Sequence, residues 1–325
     1  MNIQPLIDKI ALAVEQHAIP EKTGSYCRFP GGESNEYGCA DAANILYTIG
    51  HFERDPERRA ASVAELRKFQ DPESGLFREA THHPYHTTAH CIAALELFDA
   101  APLYPLTALD SFRTPGGIVK KLDSLSWRGD PRLHGHEGSG IYAALSITGY
   151  TDPDWKNAYF GWLCENCDPG FGLGRKGMVN DPLPTAYHLF DWFHYLFNFH
   201  AANRPFPHPE KLIDTCLDLF RRKDLTEAFN HMCGFWEIDW VFCVNRASRQ
   251  TTYRFDECRQ ALYEEGLELI KMLTKTEKLS DVRRADDLHM LFGTTCALAE
   301  VQLALPGEFQ TDIPLKNVLD RRPFI

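Results

Sequence analysis

Six apolar stretches recur along the chain, and each carries a polar or ionisable residue near its start. The stretches begin near Asp41, His86, Glu137, Thr185, Asp239 and His289. Successive starts lie 45, 51, 48, 54 and 50 residues apart. A period of this size is typical of arrays of helical hairpins. The pattern therefore predicts one hairpin for each repeat.

Amphipathic, highly charged stretches lie between the apolar ones, at 56–69, 152–164, 209–222 and 256–273. Apolar helices of this kind are expected inside a bundle and charged ones outside it. Because helical spacing dominates and clean alternation does not occur, the fold class is predicted to be all-α. We expect a single (α/α)6 toroid over residues 1–325. The predicted register places one group of residues at the same end of the ring: Asp41, His86, Glu137, Tyr187, Asp239 and His289.

The turns between hairpins have their own signals. Gly50, Gly149 and Gly307 each follow an apolar run, where a helix end favours a left-handed residue. Asp71-Pro72 and Asp168-Pro169 lie 97 residues apart and are each followed by glycine, which suits a tight turn, and Asp130-Pro131 is a third candidate. The long glycine-rich loop at 23–38 is predicted to be a lid or a functional loop.

One of these turns carries a family resemblance. QDPESGLF at 70–77, followed by HTTAHCIAALELF at 86–98, resembles the glutamine-and-aromatic repeat of the squalene cyclase and prenyltransferase superfamily. The match is good at 70–98 and partial at 168–190, where DPGFGLG precedes PTAYHLF. Elsewhere it is limited to the spacing of the repeats. The resemblance implies an α/α toroid. It does not imply isoprenoid chemistry, since similar toroids also serve glycoside hydrolases, polysaccharide lyases, epimerases and complement thioester domains.

The active-site motifs of that superfamily do not carry over to this chain. No DxDD stretch is present, and the adjacent pair Asp286-Asp287 lacks a third carboxylate one helical turn on. Zinc in protein prenyltransferases is held by Asp, Cys and His. Asp239, Cys243 and His289 imitate that set only superficially, because the first two are four residues apart instead of two.

Charge and composition narrow the possible partners. The net charge of -11 argues against nucleic acid and against a strongly anionic polymer as substrate. No basic leader and no run of 18 apolar residues occurs, so we expect a cytoplasmic protein without a membrane span. Several of the ten cysteines lie within apolar runs, which suits a reducing compartment. Oligomeric state is open.

Two carboxylates are the predicted catalytic pair. Glu137 lies in HGHEGSG, where the glycines allow a ligand or a backbone to approach closely. Asp239 lies in FWEIDW between two tryptophans, and an apolar aromatic setting favours the protonated form that a general acid needs. Asp239 is therefore the predicted acid and Glu137 the predicted base, while Asp41 is expected to orient the substrate. The alternative for each is a helix N-terminal acid that caps N–H groups.

Imidazoles and aromatic rings supply the predicted substrate contacts. His83, His86 and His90 share one helical face, but no recognised zinc motif is present, so no metal and no cofactor is expected. Rings, imidazoles and carboxylates together suit a neutral sugar, with its apolar faces and hydroxyl edges. The predicted substrate-binding residues are Asp41, His86, His136, Tyr187, His188, Trp236, Trp240 and His289.

The sequence favours a carbohydrate-active enzyme, most simply a glycoside hydrolase with an acid and a base in the mouth of the ring. Two alternatives stay open. An aromatic interior would also suit a terpenoid cyclase or prenyl-transfer enzyme, for which Arg246 and Arg249 are the candidate diphosphate ligands. The ring could otherwise be a non-catalytic binding module. Substrate identity and retaining or inverting outcome are left undetermined.

Overall fold

A computed structural model describes residues 1–128, 131–180, 184–223 and 232–325. The fold is all-α, as the sequence predicts. The helices before residue 150 are α1 (Gln4–Glu15), α2 (Glu36–Thr48), α3 (Pro56–Arg67), α4 (Pro84–Leu97), α5 (Pro115–Ser124) and α6 (Pro131–Ile147). The helices after it are α7 (Pro153–Asn166), α8 (Thr185–Ala201), α9 (Pro209–Arg222), α10 (Trp236–Ser248), α11 (Phe255–Thr274) and α12 (Leu288–Ala304).

Short elements complete the described part of the chain. Two strands, β1 (Cys167–Asp168) and β2 (Leu173–Gly174), pair antiparallel within one turn. Single 3₁₀ turns lie at Thr107–Phe112, Leu279–Asp281 and Val318–Asp320. None of the helices in the described ranges is long and apolar enough to cross a membrane.

Side-chain caps define where several of the helices start. Asn35, Asp55 and Asp152 accept hydrogen bonds from backbone N–H groups in the first turns of α2, α3 and α7. Asp287 does the same for α12 by accepting from the His289 N–H at 3.1 Å. Each cap satisfies an N–H that has no partner within its helix, which fixes the first residue and so the direction of the side chains that follow.

Six helices pack against one another in a closed order. Helix α2 contacts α4, α4 contacts α6, α6 contacts α8, α8 contacts α10, α10 contacts α12, and α12 returns to α2. These are the helices built from the six apolar stretches. The more charged α3, α7, α9 and α11 lie between them in sequence. The predicted toroid would have this order of contacts, and the toroid itself stays a prediction.

Glycines on α6 bring it close to both neighbours. A Cβ on Gly140 would lie 2.6 Å from the Tyr85 carbonyl oxygen of α4. Cβ atoms on Gly135 and Gly138 would lie 2.2 Å from Asp191 Oδ1 and from the Tyr195 hydroxyl of α8. These distances are far below van der Waals contact, so the glycines of HGHEGSG make room for protein atoms of adjacent helices.

Two of the predicted turns share one geometry. The Gly75 N–H donates to the Asp71 carbonyl, and the Gly172 N–H donates to the Asp168 carbonyl, both at 2.8 Å. Both glycines have positive φ, of 73° and 69°. Asp130, in the third candidate turn, lies outside the described residues. Gly50, Gly149 and Gly307 also have positive φ, which confirms the predicted helix ends.

Gln70 ties the first of these turns to the following hairpin. Its Nε2 donates to the carbonyls of Gly75 and Tyr104, each at 2.8 Å. Its Oε1 accepts from the Leu103 and Tyr104 N–H groups at 2.7 and 2.9 Å. The Phe77 N–H donates to the Thr88 hydroxyl of α4 at 2.9 Å. The glutamine and the threonine that carry the family resemblance therefore both satisfy backbone groups of the turn.

Replacing Gly140 by alanine should destabilise the protein by about 1–3 kcal/mol, because the new methyl meets the backbone of α4. Gly161 in α7 is the matched control, since a Cβ there meets nothing within 4 Å. Gly161→Ala should stabilise the protein by about 0.5–1 kcal/mol through the higher helix propensity of alanine. Urea unfolding measures both, and an unchanged midpoint in Gly140→Ala would contradict the close contact of α4 and α6.

Candidate functional site

A cavity of about 280 Å³ lies among the inner helices and contains an unusual number of imidazoles. We call it the histidine cavity. It is lined by His82, His86, His136, Phe190, His194, Phe235, Trp236, Asp239, Arg284, His289, Met290 and Ile325. Its walls come from α4, α6, α8, α10 and α12 and from the segments that lead into α4, α10 and α12. Three of the six residues predicted to share one end of the ring, His86, Asp239 and His289, line this cavity.

Three imidazoles converge at one wall of this cavity, and we call them the histidine triad: His86 on α4, His136 on α6 and His194 on α8. One ring nitrogen from each lies within 4.8 Å of those of the other two. His86 is buried, and the other two are partly buried. Burial lowers the pKa of His194 to about 4 and lowers the pKa values of His86 and His136 well below 6.5.

A second polar group, behind this wall, joins α2, α4 and α12. Asp41 Oδ1 accepts from His90 Nε2 at 2.8 Å and from His289 Nδ1 at 3.2 Å. All three side chains are buried. Burial by itself would raise the pKa of Asp41, but the two imidazoles outweigh it and hold that pKa well below its ordinary value. Asp41 is therefore ionised at neutral pH.

His289 connects this group to the histidine cavity. Burial lowers its pKa to about 4, although Asp41 opposes the shift, so the ring is neutral at pH 7. An ionised carboxylate can only accept, so Nδ1 carries the proton and Nε2 carries a lone pair. Asp41 was predicted to orient the substrate. Its contacts instead orient His289, because Asp41 is fully buried behind it.

Asp239 brings a carboxyl group to the same cavity from the first turn of α10. It is 4% exposed, and its Oδ1 has no hydrogen-bond partner among the described residues. Burial, followed by the nearby charge of Glu237, raises the pKa of Asp239 well above its ordinary value. Burial also raises the pKa of Glu237 to about 8. Burial thus favours the protonated form of the Asp239 carboxyl, the direction that its sequence context predicts.

Glu137 has different surroundings. It forms an ion pair with Lys121 of α5, and its carboxylate lies 3.8 Å from His83 Nε2 and 3.7 Å from His134 Nδ1. Although burial opposes the shift, the neighbouring His134 and the hydrogen-bonded Lys121 lower the pKa of Glu137 to about 2. It is not among the described residues that line the histidine cavity. Its partners suit a structural ion pair between α5 and α6.

The aromatic residues predicted to bind substrate separate into two groups. Trp236 lines the cavity, with its ring centroid 4.5 Å from that of Phe190. Trp240 does not fit the predicted role, because its Nε1 donates to the Cys216 carbonyl at 3.0 Å and its ring stacks on Phe220 of α9. One helical turn after Trp236, it packs between the inner and outer layers.

Tyr187 and His188 lie in the first turn of α8. Tyr187 is partly buried, with its ring 6.5 Å from that of Phe190, and His188 is buried. His83, which was grouped with His86 and His90, caps the start of α4 and accepts from the Tyr85 N–H at 3.2 Å. His83 is therefore the cap that precedes α4 and not a member of the helix that carries His86 and His90.

Several residues of the cavity were not in the predicted site. His194 is the most important, and His82, Phe235 and Arg284 accompany it. Its signal in the sequence was the run His188, Asp191, His194 at intervals of three on an apolar helix. That spacing indicates a polar stripe but not the partners on other helices.

The predicted lid is tied to the start of α12. Arg28, in the glycine-rich loop, donates to both carboxylate oxygens of Asp287 at 2.8 and 2.9 Å and also contacts Glu79. The Leu288 N–H donates to the Arg28 carbonyl at 3.0 Å. The loop is thus pinned beside the residues that lead into His289. This contact holds the loop against the inner ring.

Asp239→Asn should stabilise the protein increasingly as the pH rises. In the folded state Asp239 keeps a proton that it releases in the unfolded chain above about pH 3.9. Between that pH and the raised pKa of the folded state, the free energy of unfolding of the wild type therefore falls with rising pH, by up to about 1.4 kcal/mol per pH unit. The asparagine side chain of the variant does not titrate, so the variant does not lose this stability. Glu237→Gln should behave in the same way, with the loss in the wild type ending at about pH 8, the pKa of Glu237 in the folded state. Urea unfolding from pH 5 to 9 tests this, with the exposed Asp312→Asn as control, and a pH-independent difference would contradict it.

Comparison with known proteins does not decide between these interpretations. No family model, no curated protein and no solved structure matches the chain. The chemistry of the histidine cavity must therefore be inferred from its own side chains.

Proposed function

We propose that the protein is a glycoside hydrolase that binds a small, largely neutral sugar in the histidine cavity. One observation carries the proposal. Asp239 and His289 line the same cavity from α10 and α12, one as a carboxyl whose protonated form burial favours and the other as a neutral imidazole with Nδ1 held by Asp41. An acid and a base in these states at neutral pH are what hydrolysis of a glycosidic bond requires.

The reaction is a single displacement. Water attacks the anomeric carbon and gives a proton to His289 Nε2 as its oxygen forms the new bond. The electrons of the breaking C–O bond go to the leaving oxygen, which takes the proton of Asp239. The protonated imidazole and the ionised carboxylate then return to their starting states by proton exchange with solvent. Asp41 stabilises the imidazolium that forms, because its carboxylate faces Nδ1.

The cavity walls suit a sugar. Trp236, Phe190 and Phe235 offer ring faces for the C–H surface of a pyranose. The imidazoles and Arg284 offer donors and acceptors for hydroxyl groups. A volume of about 280 Å³ is at the small end of ligand pockets and favours a short substrate over a polymer.

The proposed base differs from the one that the sequence predicts. Glu137 is paired with Lys121, whereas His289 lines the cavity beside Asp239. Asp239 is the one side-chain carboxylate among the described lining residues, so a second carboxylate side chain that could act as a nucleophile is not provided there. We therefore expect inversion at the anomeric carbon.

Terpenoid or prenyl-transfer chemistry has less support. A diphosphate needs a metal bound by carboxylates or a cluster of cations. Asp287 forms an ion pair with Arg28 and accepts a hydrogen bond from the His289 N–H at the start of α12. Arg246 is bound to Glu300 and Asp320, and Arg249 donates to Asn245 and to the Leu303 carbonyl. The candidate diphosphate ligands are thus engaged within the protein.

The proposal is tested by measuring turnover on a panel of substrates. The panel contains aryl and alkyl glycosides of several neutral sugars and of a uronate. Asp239→Asn should lower turnover by about 10²- to 10⁴-fold on alkyl glycosides, which need a proton on the leaving oxygen. The loss should be much smaller on dinitrophenyl glycosides, whose leaving groups depart without one. His289→Gln should slow both kinds, and azide, which attacks without a base, should restore part of its activity.

Glu137→Gln distinguishes the two candidate bases. Near-normal turnover of this variant is expected if His289 is the base. A loss of several orders of magnitude would instead support the pair predicted from the sequence, with Glu137 as the base and Asp239 as the acid. Sugar binding without any turnover would favour the binding-module alternative. Absence of both in the folded wild-type protein would remove the carbohydrate assignment.

A further inference from the structure

We propose that the histidine triad binds one divalent transition metal ion, with zinc as the preferred ion and with an open coordination position facing the histidine cavity. The triad is separate from Asp239 and His289. The metal proposal does not depend on glycoside hydrolysis, because it rests on the arrangement of three side chains. It also reverses the expectation from sequence motifs that no metal is bound.

The convergence of the three nitrogens is the first argument. They come from α4, α6 and α8, and all lie within 4.8 Å of one another. An ion at the centre of a triangle with sides of that length would lie about 2.8 Å from each nitrogen, so a movement of about 0.7 Å per ring gives a usual zinc–nitrogen distance. Three protein ligands and one open position are typical of a zinc site that binds water or substrate.

The hydrogen bonds around the triad are those that orient metal ligands. His194 Nδ1 donates to the Phe190 carbonyl at 2.9 Å. A carbonyl only accepts, so Nε2 of His194 keeps its lone pair for a metal. His86 Nδ1 lies 3.0 Å from the Tyr37 hydroxyl, which is buried behind it. Outer contacts of this kind fix both the ring and the nitrogen that ligates.

His136 supplies a nitrogen that needs a partner. Its Nδ1 is buried and has no hydrogen bond to any of the described residues. A buried polar atom left without a partner costs about 1–3 kcal/mol. The ring centroid of His136 lies 4.3 Å from that of His86 and 4.8 Å from that of His194. A shared ion would use the nitrogens that these crowded rings bring together.

The second candidate cluster, Asp41, His90 and His289, also leaves Asp41 Oδ2 and His90 Nδ1 without a hydrogen-bond partner among the described residues, but its side chains are already bonded to one another. Its carboxylate already accepts from both imidazoles, at 2.8 and 3.2 Å. An ion there would have to replace hydrogen bonds that are already made. The triad has no carboxylate of its own, and imidazole ligands of this kind suit zinc, copper, nickel and iron better than magnesium or calcium.

A bound ion would hold water or sugar hydroxyl groups at its open position and so orient the substrate. The glycines of α6 help to make this possible, because they bring α6 against both helices that carry the other two ligands. A divalent cation in the cavity would also favour the ionised form of Asp239. We therefore expect the alkaline limit of activity to move to lower pH when the ion is bound.

The test uses the full chain purified without a histidine tag, stripped with a chelator and then dialysed against zinc or cobalt. We expect one equivalent of either metal per chain by elemental analysis. The cobalt form should show the visible absorption of a four- or five-coordinate nitrogen site. Zinc should raise the melting temperature, since it binds the folded state. A metal concentration in the protein sample no higher than that in the dialysis buffer would overturn the proposal, whether or not the protein hydrolyses glycosides.

Variants locate the site. His136→Ala and His194→Ala should abolish the cobalt spectrum, whereas His51→Ala, at an exposed position, should keep it. Tyr37→Phe keeps all three ligands and should weaken binding by about 10- to 100-fold, which a purely structural role of the ligands would not produce. Binding that survives in His136→Ala and His194→Ala but is lost in His289→Ala would assign the metal to the Asp41 cluster and overturn the triad.

Discussion

The close approach of α6 to α4 and α8 is the constraint on which the histidine cavity depends. Gly140 lies against the backbone of Tyr85, one residue before His86. Gly135 and Gly138 lie against Asp191 and Tyr195, on either side of His194 along α8. A larger residue at any of them would push two ligand-bearing helices apart. Because packed interiors resist small changes in volume, this spacing is rigid and the imidazoles stay close together.

Burial of so many polar groups is the second feature of the site. A charge taken from water into the interior is tolerated when it is paired and hydrogen-bonded. Asp41 meets this condition at Oδ1, which accepts from two imidazoles, and Arg246 meets it with Glu300. Asp239 Oδ1 and His136 Nδ1 have no hydrogen-bond partner among the described residues. Both residues line the histidine cavity, where a ligand or an ion would supply the missing partner.

The architecture divides the two kinds of chemistry between two sets of helices. Helices α4, α6 and α8 supply the triad, whereas α2, α10 and α12 supply Asp41, Asp239 and His289. The triad, Asp239 and His289 all line one small cavity, and Asp41 contacts His289. In the proposed site, a substrate would touch an acid and a base, each held by its own helix, and an ion held by three helices. That rigidity favours a fixed geometry of reacting groups.

The sequence by itself determined the helices, their order, several turns and the protonation preferred by Asp239, since periodicity, glycine and neighbouring tryptophans act within a few residues. Tertiary structure decided the partners. Glu137 forms an ion pair with Lys121, Trp240 packs against an outer helix, and the His194 ring lies close to those of His86 and His136. Spacing along one helix states which residues share a face. Which side chains meet across helices depends on the rotation and separation of each helix, and those follow from glycine contacts between residues far apart in the chain.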